Sequence, residues 1–123
     1  MLAPTAYALA TTLALFCVFL GFRFFTAPVA AAAGYGVPAK PGGDAAYLQV
    51  KAIRDLTFGV LGLALIAFAD AHAVGWYMLT VALVPLGDTM IVLRNGGTRA
   101  VAFGIHFATA VIVLVSAALM LAL

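Results

Sequence analysis

Long, uninterrupted apolar segments dominate this sequence and restrict it to a small number of folds. Four of them approach the roughly 20 residues that a helix needs to cross about 30 Å of hydrocarbon. They cover residues 5–25, 52–69, 74–93 and 100–121. In each segment apolar residues follow one another in long runs, whereas the strands of a membrane barrel alternate apolar and polar residues. The sequence therefore predicts an all-α fold, a bundle of four antiparallel transmembrane helices.

The composition also indicates contact with lipid. Of the 123 residues, 67% are hydrophobic and only 8% are charged, whereas ordinary soluble domains carry about 25% charged residues. A soluble monomer of this length could not bury so much apolar surface, so we predict one integral membrane domain over residues 1–123. No lysine or arginine precedes Arg23, and the first apolar run is too long for the core of a signal peptide, so we expect a retained transmembrane helix.

The connections between the apolar segments comprise one long stretch and two short ones. The long stretch, residues 27–51, is rich in alanine, glycine and proline, and its proline and glycine pairs break helices. Asp44 follows two glycines and suits the N-cap of a helix beginning near Ala45. Residues 27–33 can form a short interfacial helix. The two short connections predict that the helices they join are antiparallel neighbours.

The basic residues predict how the chain crosses the membrane. All six lie at or near the first and third connections: Arg23, Lys40, Lys51, Arg54, Arg94 and Arg99. Loops rich in lysine and arginine stay on the cytoplasmic side, so both connections are predicted to be cytoplasmic and both termini outside. Tyr35 and Tyr47 are predicted to lie at the inner membrane interface. The basic residues form no run, which argues against binding of nucleic acid.

Two ionisable residues lie inside the last two apolar segments. Asp88 and His106 are each nine residues from Gly97, which lies at the turn between them. Neighbouring helices should therefore hold these two side chains at the same depth. Arg54 and Asp55 of the second segment are expected in the same layer. The sequence thus predicts a polar cluster in the cytoplasmic third of the bundle.

Insertion of a charged side chain at the centre of a membrane helix costs about 2.5–3.5 kcal/mol of free energy. We therefore expect the charged residues of this cluster to be paired with one another or to serve a function. Arg54 and Asp55 point about 100° apart on a helix, so we expect Arg54 to pair with Asp88, with His106 completing the network. In the functional interpretation, Asp88 and His106 form a catalytic acid–base pair. The ligand-binding residues are then Arg54, Asp55, Arg94 and Thr109. The alternative is a structural network that locks the helices in register.

Several motifs occur in an order that resembles a known family. They are KAIRDLTFGVLGLAL, VPLGDTMIVLRNGG and AVAFGIHFATA, together with GYGVP at residues 34–38. The resemblance is to the small bacterial four-helix membrane family called domain of unknown function four-two-six-seven, and it runs from about Ala30 onward. It implies a multi-pass protein of the bacterial inner (plasma) membrane and supplies no activity. More distantly, the architecture is similar to that of small DoxX-type membrane proteins.

Three functions fit these features. The first is binding or conversion of a small lipophilic molecule, and the second is an accessory role as a subunit of a larger membrane complex. The third is proton-coupled transport, with Asp88 as the proton carrier, which would require a homo-oligomer because one chain supplies few helices. We predict no cofactor, because no nucleotide-binding loop, catalytic serine motif or haem motif is visible. No metal site is predicted, because the spacing of Asp55, Asp88 and His106 matches no ligand motif.

Overall fold

The computed structural model describes residues 1–40 and 42–123, and over these residues the chain forms five helices and no strand. The helices are α1 (Leu2–Thr26), α2 (Pro28–Tyr35), α3 (Asp44–Phe68), α4 (Ala71–Arg94) and α5 (Arg99–Leu121). The predicted all-α class is confirmed. The short helix predicted over residues 27–33 corresponds to α2, which begins at a proline and ends where Gly36 adopts a left-handed conformation with φ of 104°. Its position at the membrane interface stays a prediction.

Three of these helices, α1, α4 and α5, are long and apolar enough to cross a membrane, within the residues that the structure describes. Helix α3 has the same length as α1, 25 residues. However, Lys51, Arg54 and Asp55 interrupt its apolar stretch. The uninterrupted part, residues 56–68, is shorter than the roughly 20 residues of a full span. The structure therefore supports three candidate spans, and the prediction of four is not confirmed.

Helices α4 and α5 each contain a local irregularity. In α4, a turn at Ala82 separates Ala71–Val81 from Leu83–Arg94, because Pro85 has no N–H to donate to the carbonyl one turn earlier. In α5, Ala102–Phe107 forms a π-helical segment. Such segments insert an extra residue into the helical turn and often occur at functional sites. Both irregularities lie close to the ionisable residues in sequence.

Helices α1 and α3 pack antiparallel and very close together through glycine. A Cβ atom on Gly59 would lie 2.7 Å from the backbone nitrogen of Val18 and 2.8 Å from the carbonyl oxygen of Ala14. At the other end of the pair, Gly21 faces Ala52 and Leu56 in the same way. The two backbones therefore approach closely between residues 14–21 of α1 and 52–59 of α3, as in other helix pairs packed through small residues.

The core lies at both ends of the bundle. At one end, Ala6 and Ala10 of α1 pack in a cluster with α4 and α5; the buried members from those helices are Val74, Met78, Ala82, Val113, Ala117 and Met120. At the opposite end, α2 folds back, so that Ala31 and Ala32 bury Phe24 of α1 and Ala52 of α3. Between these two clusters a cavity separates α1 from the α4–α5 hairpin.

Candidate functional site

The cavity between the two core clusters has a volume of about 360 Å³. Its walls are mostly apolar, and all five helices contribute residues to them. The polar residues of the lining are Cys17, Arg23, Tyr35, Asp55, Tyr77, Asp88, His106 and Thr109. Tyr77 donates its hydroxyl to the carbonyl oxygen of Phe58, so it joins α4 to α3.

Tyr35 lies at the centre of the polar part of the cavity. Its hydroxyl donates a hydrogen bond to the carboxylate of Asp88 on α4. Its carbonyl oxygen lies 2.6 Å from Nε2 of His106 on α5, and the Tyr35 and His106 rings have centroids 4.2 Å apart. Because a carbonyl oxygen can only accept, Nε2 donates, and in the neutral imidazole Nδ1 carries the lone pair.

The local sequence explains why Tyr35 can make both contacts. It is the last residue of α2, so its carbonyl is one of those that lack a partner within the helix. Gly36 then turns the chain away with φ of 104°, and a Cβ atom there would lie 2.8 Å from Cγ1 of Val101 and 3.1 Å from Cγ1 of Val92. Glycine therefore satisfies both the backbone conformation and the close approach to α4 and α5.

The environment of Tyr35 keeps its hydroxyl protonated. Burial, and secondly the negative charge of Asp88 beside it, raise the pKa of the Tyr35 phenol above its ordinary value. Tyr35 is therefore a hydrogen-bond donor over the whole physiological pH range.

A second polar group borders the cavity on α3. Nζ of Lys51 lies 2.5 Å from a carboxylate oxygen of Asp55, one helical turn later. The same ammonium lies 3.9 Å from the centroid of the Phe24 ring and 4.4 Å from that of Tyr35. One carboxylate and two aromatic faces therefore hold Lys51 in place. The thiol of Cys17 donates to the backbone oxygen of Asp55, at 3.1 Å.

Residues 14–120 match the protein family described as Domain of unknown function (DUF4267). The chain belongs to this family. The resemblance seen in the sequence motifs is thereby confirmed, while the likeness to DoxX-type proteins stays a prediction. No curated protein and no solved structure matches the chain significantly. The DUF4267 match includes every polar residue that lines the cavity, so the site lies within the family's domain.

In this DUF4267 protein, four of the six predicted site residues line the cavity: Asp55, Asp88, His106 and Thr109. Asp88 and His106 meet through Tyr35. Thr109 donates its hydroxyl to Ile105 of its own helix. The structure therefore brings these residues to one cavity, while their catalytic and binding roles stay predictions.

The predicted ion pair between Arg54 and Asp88 is wrong for the part of the chain that the structure describes. Arg54 is exposed and outside the cavity lining. Asp88 accepts from Tyr35 instead, and Asp55 pairs with Lys51. Residues four apart share a helix face, whereas neighbours in sequence do not, so Lys51 reaches the face that Arg54 cannot. Arg94 is likewise exposed and away from the cavity.

Sequence reasoning missed two residues of this DUF4267 site. Tyr35 was expected at the membrane interface as an aromatic anchor, and Lys51 was treated only as a marker of topology. Short sequence patterns around each residue could have indicated their roles. Tyr35 stands between two glycines in GYGVP, where a bulky aromatic is held by a turn, and Lys51 precedes Asp55 at the i,i+4 spacing of helical ion pairs.

Proposed function

We propose that this DUF4267 protein binds a small lipophilic molecule in the cavity between α1 and the α4–α5 hairpin. The observation that carries the proposal is the division of the cavity into a polar and an apolar end. Tyr35, Asp88 and His106 lie at the end closed by α2, whereas Leu13 and Met78 lie toward the opposite core cluster. A cavity of this kind orients a molecule that has one polar group on an apolar body.

The dimensions suit such a ligand. From Leu13 to Arg23 the cavity follows α1 over ten residues, or roughly 15 Å at 1.5 Å per residue. Its volume of about 360 Å³ lies within the range of about 300–1,000 Å³ usual for small-molecule sites. Among the described residues, the His106 ring makes its hydrogen bond through Nε2, so Nδ1 and the hydroxyl of Tyr35 are suited to hold a polar group of the ligand.

The same proposal covers the membrane in which the protein lies and the topology of the chain in that membrane. The protein is a multi-pass protein of the bacterial inner membrane. Helix α3 crosses the membrane in addition to α1, α4 and α5, and both termini face outward. Support comes from the close packing of α3 along α1 through Gly59 and Gly21, which would place α3 at the same depth as α1. The stems of Lys51 and Arg54 are long enough to carry charge toward the cytoplasmic head groups.

Conversion of the ligand is a second candidate function, favoured by the lone pair left on His106. With Nε2 engaged by Tyr35, Nδ1 is the basic nitrogen, and Asp88 would supply the second group of the predicted acid–base pair. Asp88→Asn and His106→Ala variants that keep their fold but lose turnover would support this role. Equal loss of folding in both variants would instead indicate a structural network.

Mass spectrometry of what accompanies the purified protein tests the binding proposal. We expect the protein in mild detergent to carry a lipophilic molecule that Thr109→Phe, which fills the cavity, excludes. Ile112→Phe is the matched control, because Ile112 is exposed on the same helix and outside the cavity lining. Equal retention in the two variants, with the fold intact by circular dichroism, would contradict the proposal. Stoichiometric recovery of a larger membrane protein would instead support an accessory role.

A further inference from the structure

The cavity opens sideways, between α1 and the α4–α5 hairpin. Some lining residues are exposed, and these form its rim. The apolar ones are Phe16 (45% exposed), Phe19 (56%), Val84 (40%) and Ile105 (47%). Two come from α1 and one each from α4 and α5. A mouth with such a rim would be poorly solvated in water and well solvated by acyl chains.

The rim also includes Gly34 of α2 and one charged residue, Arg23. Arg23 follows Phe16 and Phe19 along α1 at helical spacing, which places the three side chains on one face. It lines the cavity and is exposed. Among the residues that the structure describes, no carboxylate lies within ion-pair distance of its guanidinium. The two carboxylates of the cavity, by contrast, already accept hydrogen bonds, Asp55 from Lys51 and Asp88 from Tyr35.

We infer that the cavity takes up a single-chain amphiphile with an anionic oxygen head group directly from the bilayer, and that Arg23 binds this head group. The inference rests on the proposed binding function and adds the class of ligand and its route. Asp55 is already paired with the Lys51 ammonium, and Asp88 already accepts from the Tyr35 hydroxyl. An anionic head group would meet the Arg23 guanidinium, which has no carboxylate partner among the described residues. A long-chain carboxylate is the simplest such ligand.

The direction of the cavity matches the way such a molecule lies in a membrane. In the proposed threading, Arg23 is near the cytoplasmic head groups, and the cavity extends from it toward Leu13, into the hydrocarbon. An amphiphile in the inner leaflet already has its charged end at the surface and its chain pointing inward. It therefore reaches the cavity by moving sideways, with no need to bring its head group through hydrocarbon.

Binding of matched probes to the full chain in lipid nanodiscs tests this inference. The probes are oleate, oleyl alcohol and oleylamine, which share one chain and differ in the head group. We expect oleate to bind most tightly, and Arg23→Gln to weaken oleate by about tenfold while leaving oleyl alcohol unchanged. Arg54→Gln is the control, because Arg54 is an exposed arginine outside the cavity lining, and it should leave both affinities unchanged.

The route is tested by narrowing the mouth. Val84→Trp places a bulky side chain on the rim and should slow the uptake of oleate, whereas Leu83→Trp should not. Leu83 is 68% exposed, next in sequence, and not part of the cavity lining. Equal rates in the two variants would contradict uptake through this mouth.

The outcomes separate the inference from the proposed function. Equal binding of oleate and oleyl alcohol, or equal loss of oleate in both arginine variants, would overturn the anionic head group and leave ligand binding in place. The same holds if none of the three probes binds while a neutral molecule that Thr109→Phe excludes accompanies the protein. Failure of all three probes, with no lipophilic molecule accompanying the protein, would overturn both.

Discussion

His106 holds Tyr35 by two different contacts, one to the backbone and one to the ring. Its Nε2 lies 2.6 Å from the Tyr35 carbonyl oxygen, and the two ring centroids are 4.2 Å apart. Since the Tyr35 hydroxyl donates to Asp88, the end of α2 is attached to α5 through its backbone and to α4 through its side chain. Helix α2 is thereby fixed across the end of the cavity, and the polar residues meet through it.

The first prediction concerns the Tyr35 hydroxyl. Tyr35→Phe keeps the ring and removes the donor to Asp88, which leaves a carboxylate oxygen without this partner and should lower the free energy of unfolding by about 1–3 kcal/mol. Thermal unfolding in mild detergent measures the change. Tyr47→Phe is the control, because Tyr47 is 78% exposed, and it should unfold like the unmodified protein. Equal effects of the two substitutions would show that the bond to Asp88 contributes nothing.

The second prediction is the response of stability to alkaline pH. Tyr35 lies on α2, outside the three candidate spans, and burial raises the pKa of its phenol. A raised pKa means that the folded state keeps a proton that the unfolded state loses near pH 10. The stabilisation from this group is therefore complete below about pH 10 and falls above it, by up to about 1.4 kcal/mol per pH unit.

The measurement compares the unmodified protein with Tyr35→Phe between about pH 9 and pH 11.5. We expect the difference in the free energy of unfolding between them to shrink as the pH rises. A difference in the free energy of unfolding that stays constant across this range would contradict a raised pKa of the Tyr35 phenol.

The sequence was sufficient to predict the helices and part of the site. The features that could be predicted differ physically from those that could not. Asp88 and His106 lie at equal distance in sequence from the turn at Gly97, and the rise along the two helices brings both to one cavity, although His106 lies in a π-helical segment. The position of Tyr35 in the cavity could not be predicted, because it depends on α2 folding back over the bundle. No periodicity within α2 encodes that arrangement. The partner of Asp88 was misassigned for the same reason, because Tyr35 and not Arg54 contacts this carboxylate. The pair of Lys51 and Asp55 could have been predicted, because residues four apart share a helix face.

The third prediction concerns the contact between α1 and α3. Gly59→Ala places a methyl group within 2.7 Å of the Val18 backbone nitrogen, so the helices must move apart, at a cost of about 1–3 kcal/mol in the free energy of unfolding. Gly87→Ala is the control, because no described atom outside its local backbone lies within 4 Å of a Cβ atom there. It should be neutral or stabilising by up to about 1 kcal/mol. Equal stability of the two variants would contradict the close packing.

The fourth prediction concerns the ion pair on α3. Lys51→Met retains the length of the side chain and removes the ammonium that contacts Asp55 at 2.5 Å. We expect a loss of about 1–3 kcal/mol, less than the roughly 3–5 kcal/mol of a fully buried pair, because the Lys51 side chain is 30% exposed. Arg54→Met, the control, removes an exposed charge and should change stability little. If instead Arg54→Met is the more damaging, Arg54 and not Lys51 is the partner of a carboxylate.

The fifth prediction decides whether α3 crosses the membrane. If α1, α3, α4 and α5 all cross, the two termini lie on the same side, whereas three spans place them on opposite sides. Reporters fused at Met1 and at Leu123 in turn read each side. We expect alkaline phosphatase to be active and GFP to be dark at both ends, because all six basic residues favour a cytoplasmic position for the opposite loops. Opposite signals at the two ends would mean that Lys51, Arg54 and Asp55 keep α3 out of the hydrocarbon.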